Sequence, residues 1–279
     1  MKVIKYLTYV LALSLMFSCD KHEILFNTTD VDDTMAEFQL HYFEPINNEA
    51  SYYIDSVFVN DVLYSSVHGS GQLVPYNGVP GGAVGRFFAV KAGDVNFKFY
   101  RGGDVVYNQT VALKSGKQNV FVHNMSKAPV ILDNQYPYND LSAATGRLET
   151  WETDSIAGIK FFNFLYEDGI TPYSGKLQYQ YTDARTKEWK NLGEPVGFGE
   201  ATDRVKFIIV KDDKNSAGSC RFDYRILNDK GEVLECTNGS GMVEFTYNFT
   251  PSIGRSYMHI LGGTRTEYPI ASMSVWTSL

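Results

Sequence analysis

An eleven-residue stretch occurs twice in this chain. Asp33-Thr-Met-Ala-Glu-Phe-Gln-Leu-His-Tyr-Phe43 aligns without a gap on Asp154-Ser-Ile-Ala-Gly-Ile-Lys-Phe-Phe-Asn-Phe164, an offset of 154 − 33 = 121 residues. Asp, Ala and the closing Phe are identical, and Thr/Ser, Met/Ile and Phe/Ile are chemically matched. In the first copy Phe38, Leu40 and Tyr42 alternate with Gln39, His41 and Phe43, which is the period of a strand. A strand that recurs at the head of two segments points to two related β-modules.

Each copy opens a series of short strands punctuated by turn residues. In the first, Tyr52–Tyr64 carries a turn at Asn60-Asp61, Arg86–Lys91 is a strand, and Val95, Phe97 and Phe99 alternate with Asn96, Lys98 and Tyr100. Arg101-Gly-Gly-Asp104 is a hairpin turn, because Gly supplies positive φ at little cost. Residues 105–113 and 119–123 complete about seven strands at sandwich-like spacing. Between them, Gly69–Gly85 holds six Gly and two Pro and cannot be the interior of a regular element. Tyr76, near its middle, is a candidate ligand contact, beside the plainer reading of an edge connection. In the second copy, strands are expected at 177–182, 205–210, 243–249, 256–261 and 269–276, with a hairpin over 220–236 that turns at Asn228-Asp-Lys-Gly231. Thr186–Gly193 reads as a polar loop carrying Trp189. No helical periodicity of any length occurs, and the 19 Tyr and 18 Phe favour strands.

The N-terminus reads as an address rather than as part of the fold. Lys2 and Lys5 precede an apolar run, Tyr6–Phe17, that is shorter than the roughly 20 residues a membrane-spanning helix needs. It ends Leu15-Met-Phe-Ser-Cys19, which resembles a bacterial lipobox. The resemblance implies acylation of Cys19 and attachment to a membrane through lipid, which is durable once more than one chain is added. The charged Asp20-Lys-His-Glu23 that follows resembles tags that send lipoproteins to the outer surface of Gram-negative cells. An outer-membrane lipoprotein exposed on the cell surface is therefore expected, with a periplasm-facing one as the alternative.

The run Val90-Lys-Ala-Gly-Asp-Val-Asn-Phe-Lys-Phe99, the hairpin after it, and Val111–Val122 resemble uncharacterised modules that occur in tandem in bacterial surface lipoproteins. That resemblance implies immunoglobulin-like or transthyretin-like sandwiches and transfers no catalytic residues. The organisation expected is a signal peptide (1–18), a flexible leader (19–32), a first sandwich (33–133), a linker (134–153) and a second sandwich (154–279), all-β and antiparallel.

Chemistry is sparse. The formal charge is −7, and −9 without Lys2 and Lys5, so the chain repels phosphate backbones and no nucleic-acid partner is expected. His22, His41, His68, His123 and His259 form no metal spacing with one another or with Cys, so no metal or cofactor is expected. His41 and His123 fall on strands and read as structural. Apart from Cys19, two cysteines remain. Pairing Asn228 with Glu232 sets Cys236 opposite Tyr224 and Cys220 opposite Ser240, too far apart along the ladder for a disulfide. Free thiols are expected, with a disulfide as the alternative. Trp189, with polar neighbours, is the best candidate to stack on a sugar ring. Asp33-Thr34-Met35 and Asp154-Ser155-Ile156 resemble the acceptor motif of a bacterial O-glycosylation system, which makes Thr34 and Ser155 candidate modification sites. The reading is a non-enzymatic, lipid-anchored envelope protein that acts by binding, a glycan or an envelope protein being the partner, or as a structural or adhesive component. An envelope glycosidase or esterase with carboxylates separated in sequence is the alternative.

Overall fold

The computed structural model describes residues 32–45, 53–66, 87–134, 156–183, 186–209 and 221–278. The signal peptide, Cys19, almost all of the leader, Tyr76, the linker beyond Asn134, Ser155 and Cys220 lie outside them. Among the described residues every regular element is a strand.

Strand β1 (Met35–Tyr42) lies at the centre of a four-stranded sheet with β4 (Phe88–Lys91), β7 (Gly116–Val122) and β8 (Val130–Asp133), in the order β4-β1-β7-β8. A second sheet, in the order β3-β2-β5-β6, is built from β2 (Ser56–Val59), β3 (Val62–Ser66), β5 (Gly93–Arg101) and β6 (Asp104–Leu113). Ala36, Phe38, Leu40 and Tyr42 from the first sheet meet Val57, Val95, Phe97, Phe99 and Tyr107 from the second in one core. These are the apolar positions that the period-2 alternation selects.

The same plan recurs. Strand β9 (Ile156–Asn163) lies in the sheet β12-β9-β17-β18, where β12 is Val205–Ile208, β17 is Ser256–Gly262 and β18 is Ser272–Ser278. The opposing sheet, β11-β10-β13-β16, comprises β10 (Gln178–Thr182), β11 (Trp189–Asn191), β13 (Phe222–Leu227) and β16 (Thr246–Phe249). Their core holds Ile159, Phe161, Tyr179, Phe222, Tyr224 and Ile226. The correspondence extends to register: Glu37 pairs with Lys117, and Gly158, at the equivalent place in the repeat, pairs with Ser256. The second sandwich has one addition, the hairpin of β14 (Glu235–Thr237) and β15 (Met242–Glu244), where the first makes a tight turn through Gly102 and Gly103.

The sheets are antiparallel except for one central pair in each sandwich, β1 with β7 and β9 with β17. These parallel pairs are buried on both faces, as parallel strands generally are. Asp32–Leu279 is one compact unit, and the two inner sheets pack on each other through their outward faces. Phe43, Phe121, Phe162, Phe164, Met258 and Ile260, none of them exposed, form that third core. The layers run β3-β2-β5-β6, β4-β1-β7-β8, β12-β9-β17-β18, β11-β10-β13-β16.

Two local expectations are corrected. Trp189 opens the edge strand β11, paired with Thr182, rather than sitting in a loop. A polar three-residue strand at a sheet edge carries no apolar alternation to announce it. Cys236 pairs with Val243 rather than facing Tyr224. The turn is as expected, with Asn228 N donating to Glu232 O and Gly231 at φ 80°, but the ladder with β13 ends at Leu234 N to Ile226 O and the chain turns into β14. Cys236 is a buried free thiol whose pKa burial pushes up to about 12.

Candidate binding face

The two outer sheets each turn one face to the core and one to solvent. On β10 and β13, Tyr179, Phe222, Tyr224 and Ile226 point inward, so Gln180, Thr182, Asp223 and Arg225 point outward. Residues directly opposite in a ladder share a face. Trp189 opposite Thr182, and Asn191 opposite Gln180, therefore join the outward set, as do Asn248 opposite Asp223 and Thr246 opposite Arg225.

Four of these side chains form a connected row. Asn191 Oδ1 accepts from Gln180 Nε2 at 2.7 Å, and Gln180 Oε1 accepts from Arg225 Nε at 2.8 Å. The Arg225 guanidinium then lies over the Trp189 ring, 4.3 Å from its centroid, a contact contributing about 0.5–1 kcal/mol at an exposed site. At the end of the strand, Lys190 Nζ bonds Asp183 Oδ2 at 2.6 Å, and this hydrogen bond raises the lysine pKa. The result is an indole, 38% exposed, fixed in orientation and bordered by amides, hydroxyls and one cation. Such a face can stack on the C–H side of a ring and hydrogen-bond its hydroxyls.

The histidines sit elsewhere. His41 is fully buried with Nε2 3.4 Å from Asn119 Oδ1 and its ring stacked on Phe121, and burial lowers its pKa to about 4. His123 Nδ1 is 2.8 Å from Tyr166 OH, and burial again lowers the pKa to about 4. His259 Nδ1 is 2.8 Å from Tyr179 OH among Tyr224, Tyr247 and Phe249, and burial lowers it to about 3. These are packing residues held neutral. Among the described residues no group of three or more His, Cys, Asp or Glu could hold a metal ion. Thr34 is exposed just before β1, and its N and Oγ1 both donate to Asp32 Oδ1, at 2.8 and 2.6 Å.

Sequence reasoning singled out Trp189 but missed Gln180, Asn191 and Arg225. The available signal was the Gln-x-Gln-x-Thr alternation over 178–182, in which every second residue is polar; the pairing that brings the other strands alongside is not local.

Comparison with protein-family models and with curated proteins gave no match. Among solved structures the chain is similar to a leucine-rich repeat protein from Bacteroides thetaiotaomicron, with 10% identity over 84% of this chain and 26% of that one, at a TM-score of 0.21. It is similar to the Bacillus anthracis TIE protein, with 10% identity over 83% of this chain and 34% of that one, at 0.21. It is also similar to a candidate cell adhesion protein from Bacteroides uniformis, with 12% identity over 87% of this chain and 97% of that one, at 0.20. The chain spans only 26% and 34% of the length of the first two.

Proposed function

We propose that the chain is a non-enzymatic cell-envelope protein that binds polysaccharide through the outward face of the sheet β11-β10-β13-β16. The observation that carries this reading is the Trp189 ring held in place by Arg225 within the hydrogen-bonded row Arg225–Gln180–Asn191. An immobilised aromatic loses little conformational freedom on binding, and amides and hydroxyls around it suit a ligand rich in hydroxyl groups.

In the same reading, lipid on Cys19 holds the protein in the outer membrane with its surface outward, the modules 33–133 and 154–279 are joined by the linker 134–153, and Thr34 and Ser155 are glycan acceptors. Among the described residues no helix is long and apolar enough to cross a membrane. Protease digestion of intact cells tests the outward placement; protection until the outer membrane is opened would put the protein inside. Intact-mass measurement tests the modification.

Affinity electrophoresis through a panel of embedded polysaccharides tests the central claim. Retardation by at least one glycan, lost in Trp189→Ala and weakened in Gln180→Ala, is expected. No retardation on any glycan, or equal retardation of wild type and Trp189→Ala, overturns the reading.

A further inference from the structure

A different surface of the second sandwich has the makings of a docking site. At the end where β9 and β17 finish and β18 begins, three segments meet: residues 165–171, the insertion 228–244 with its hairpin β14–β15, and residues 263–269. Arg265 ties them together. Its Nε and Nη2 bond the two Glu167 oxygens at 2.8 and 2.5 Å, and its Nη1 reaches Glu235 O at 3.4 Å. Its backbone N donates to Tyr166 O at 2.8 Å, and its backbone O accepts from Thr237 N at 2.7 Å.

Large apolar side chains stand outward on this braced frame. Nine are strongly exposed among the described residues, and four of them lie on these segments: Ile170 (83%), Tyr268 (65%), Val243 (44%) and Met242 (41%), the last two on opposite faces of the β14–β15 ribbon. Ile170 is not on a loose loop. Asp168 Oδ1 accepts from Ile170 N and Thr171 N at 2.9 and 2.6 Å, and Gly169 N donates to Glu267 Oε1 at 2.5 Å. The Tyr268 ring lies beside Gly239 at the hairpin turn, 3.6 Å from where a Cβ on that residue would stand. Scattered exposed apolar residues are ordinary; a group of them on ordered, cross-braced loops marks an interaction surface.

The surface is also strongly acidic. The three segments carry seven carboxylates against Lys230 and Arg265, a net −5, where the whole chain carries −7. Arg265 is already engaged by Glu167. Glu235 and Glu244 stand directly opposite each other across β14–β15, both exposed, a like-charge pairing that destabilises a two-stranded ribbon. An approaching cation would relieve that repulsion. The first sandwich has no counterpart, because β5 and β6 are joined there by the tight Gly102-Gly103 turn.

We propose that this end of the second sandwich docks a basic polypeptide segment bearing apolar side chains, its cations meeting Glu235 and Glu244 and its apolar groups meeting Ile170 and Tyr268. The full chain is titrated by fluorescence anisotropy against a labelled peptide of alternating Lys and Leu, with a peptide of alternating Glu and Leu as control. The Lys-Leu peptide is expected to bind, more weakly at high salt, and the Glu-Leu peptide not at all. Ile170→Ser with Tyr268→Ser is expected to weaken binding roughly tenfold or more, as truncation of anchor residues does. Both residues are surface-exposed, so folding is retained and is checked by circular dichroism. Leu63→Ser, on the first sandwich, is expected to change nothing. Failure of the Lys-Leu peptide to bind, or binding that the paired substitution leaves intact, overturns the proposal. So does attachment to zwitterionic vesicles that depends on Ile170 and Tyr268, or self-association, in the absence of any peptide binding.

Discussion

Asn119 Nδ2 donates to Met258 Sδ at 3.3 Å across the interface between the two sandwiches, and the two residues hold the same place in the repeated plan: Asn119 pairs with Gln39 on β1, and Met258 with Lys160, its equivalent on β9. Phe43 and Phe164, the closing residues of the repeated stretch, also meet, with ring centroids 6.0 Å apart. Contact between equivalent residues is the signature of an isologous, two-fold interface. Here it is found within one chain.

The interface contains a misfit polar group. Gln39 is fully buried, and neither its Nε2 nor its Oε1 has a hydrogen-bond partner among the described residues. An unsatisfied buried amide costs about 1–3 kcal/mol. Gln39→Met keeps the shape and removes the polar atoms, so urea unfolding should show a stability gain of about 1 kcal/mol or more. A loss would mean that the amide is satisfied by something else.

Buried histidines make the fold sensitive to acid. His41 and His123 titrate near pH 4 and His259 near pH 3 when folded, against an ordinary 6.5. The unfolded chain therefore binds protons that the folded one refuses. The neutral-histidine contribution is whole above about pH 6.5 and is lost as pH falls from there through 4 and toward 3. Urea midpoints should decline across that window, and His259→Phe should flatten the decline at its lower end. Midpoints unchanged between pH 7 and pH 4 would contradict this.

Two glycines separate backbone strain from crowding. Both Gly231 (φ 80°) and Gly263 (φ 91°) occupy the left-handed region. A Cβ at Gly231 would meet nothing within 4 Å, whereas at Gly263 it would lie 2.4 Å from Ile270 O, a backbone atom that cannot swing aside. Gly231→Ala should cost about 1–2 kcal/mol. Gly263→Ala should cost clearly more, and equal losses for the two would refute the crowding argument.

The repeated stretch was legible, and with it the strands, turns and one face of each core: Phe38, Leu40 and Tyr42 point where alternation puts them. The destiny of the other face was not. Gln39 and His41 fell together on the face opposite Phe38, Leu40 and Tyr42, and nothing local announced that this face, with Asn119 beside it, would be buried. Period-2 alternation separates two faces without saying what covers the second. The parallel pairings β1–β7 and β9–β17 join segments far apart in sequence, so no local signal announces them. At the binding face, Trp189 stood out by residue type, while Arg225 joined it only through the β10–β13 ladder, which sets Arg225 opposite Gln180.

The central claim is that the two sandwiches are joined through the outward faces of their repeated strands. Phe121 and Phe164 stack across that interface at 4.4 Å, both fully buried. A double-mutant cycle with Phe121→Ala, Phe164→Ala and the pair, read by urea unfolding, tests it most directly. Each single substitution should cost about 3–5 kcal/mol, and the pair should fall short of the sum by about 0.5–1.5 kcal/mol, the coupling of an aromatic contact. Strict additivity, within about 0.3–0.5 kcal/mol, would mean that the two rings do not touch and that the sandwiches are not joined this way.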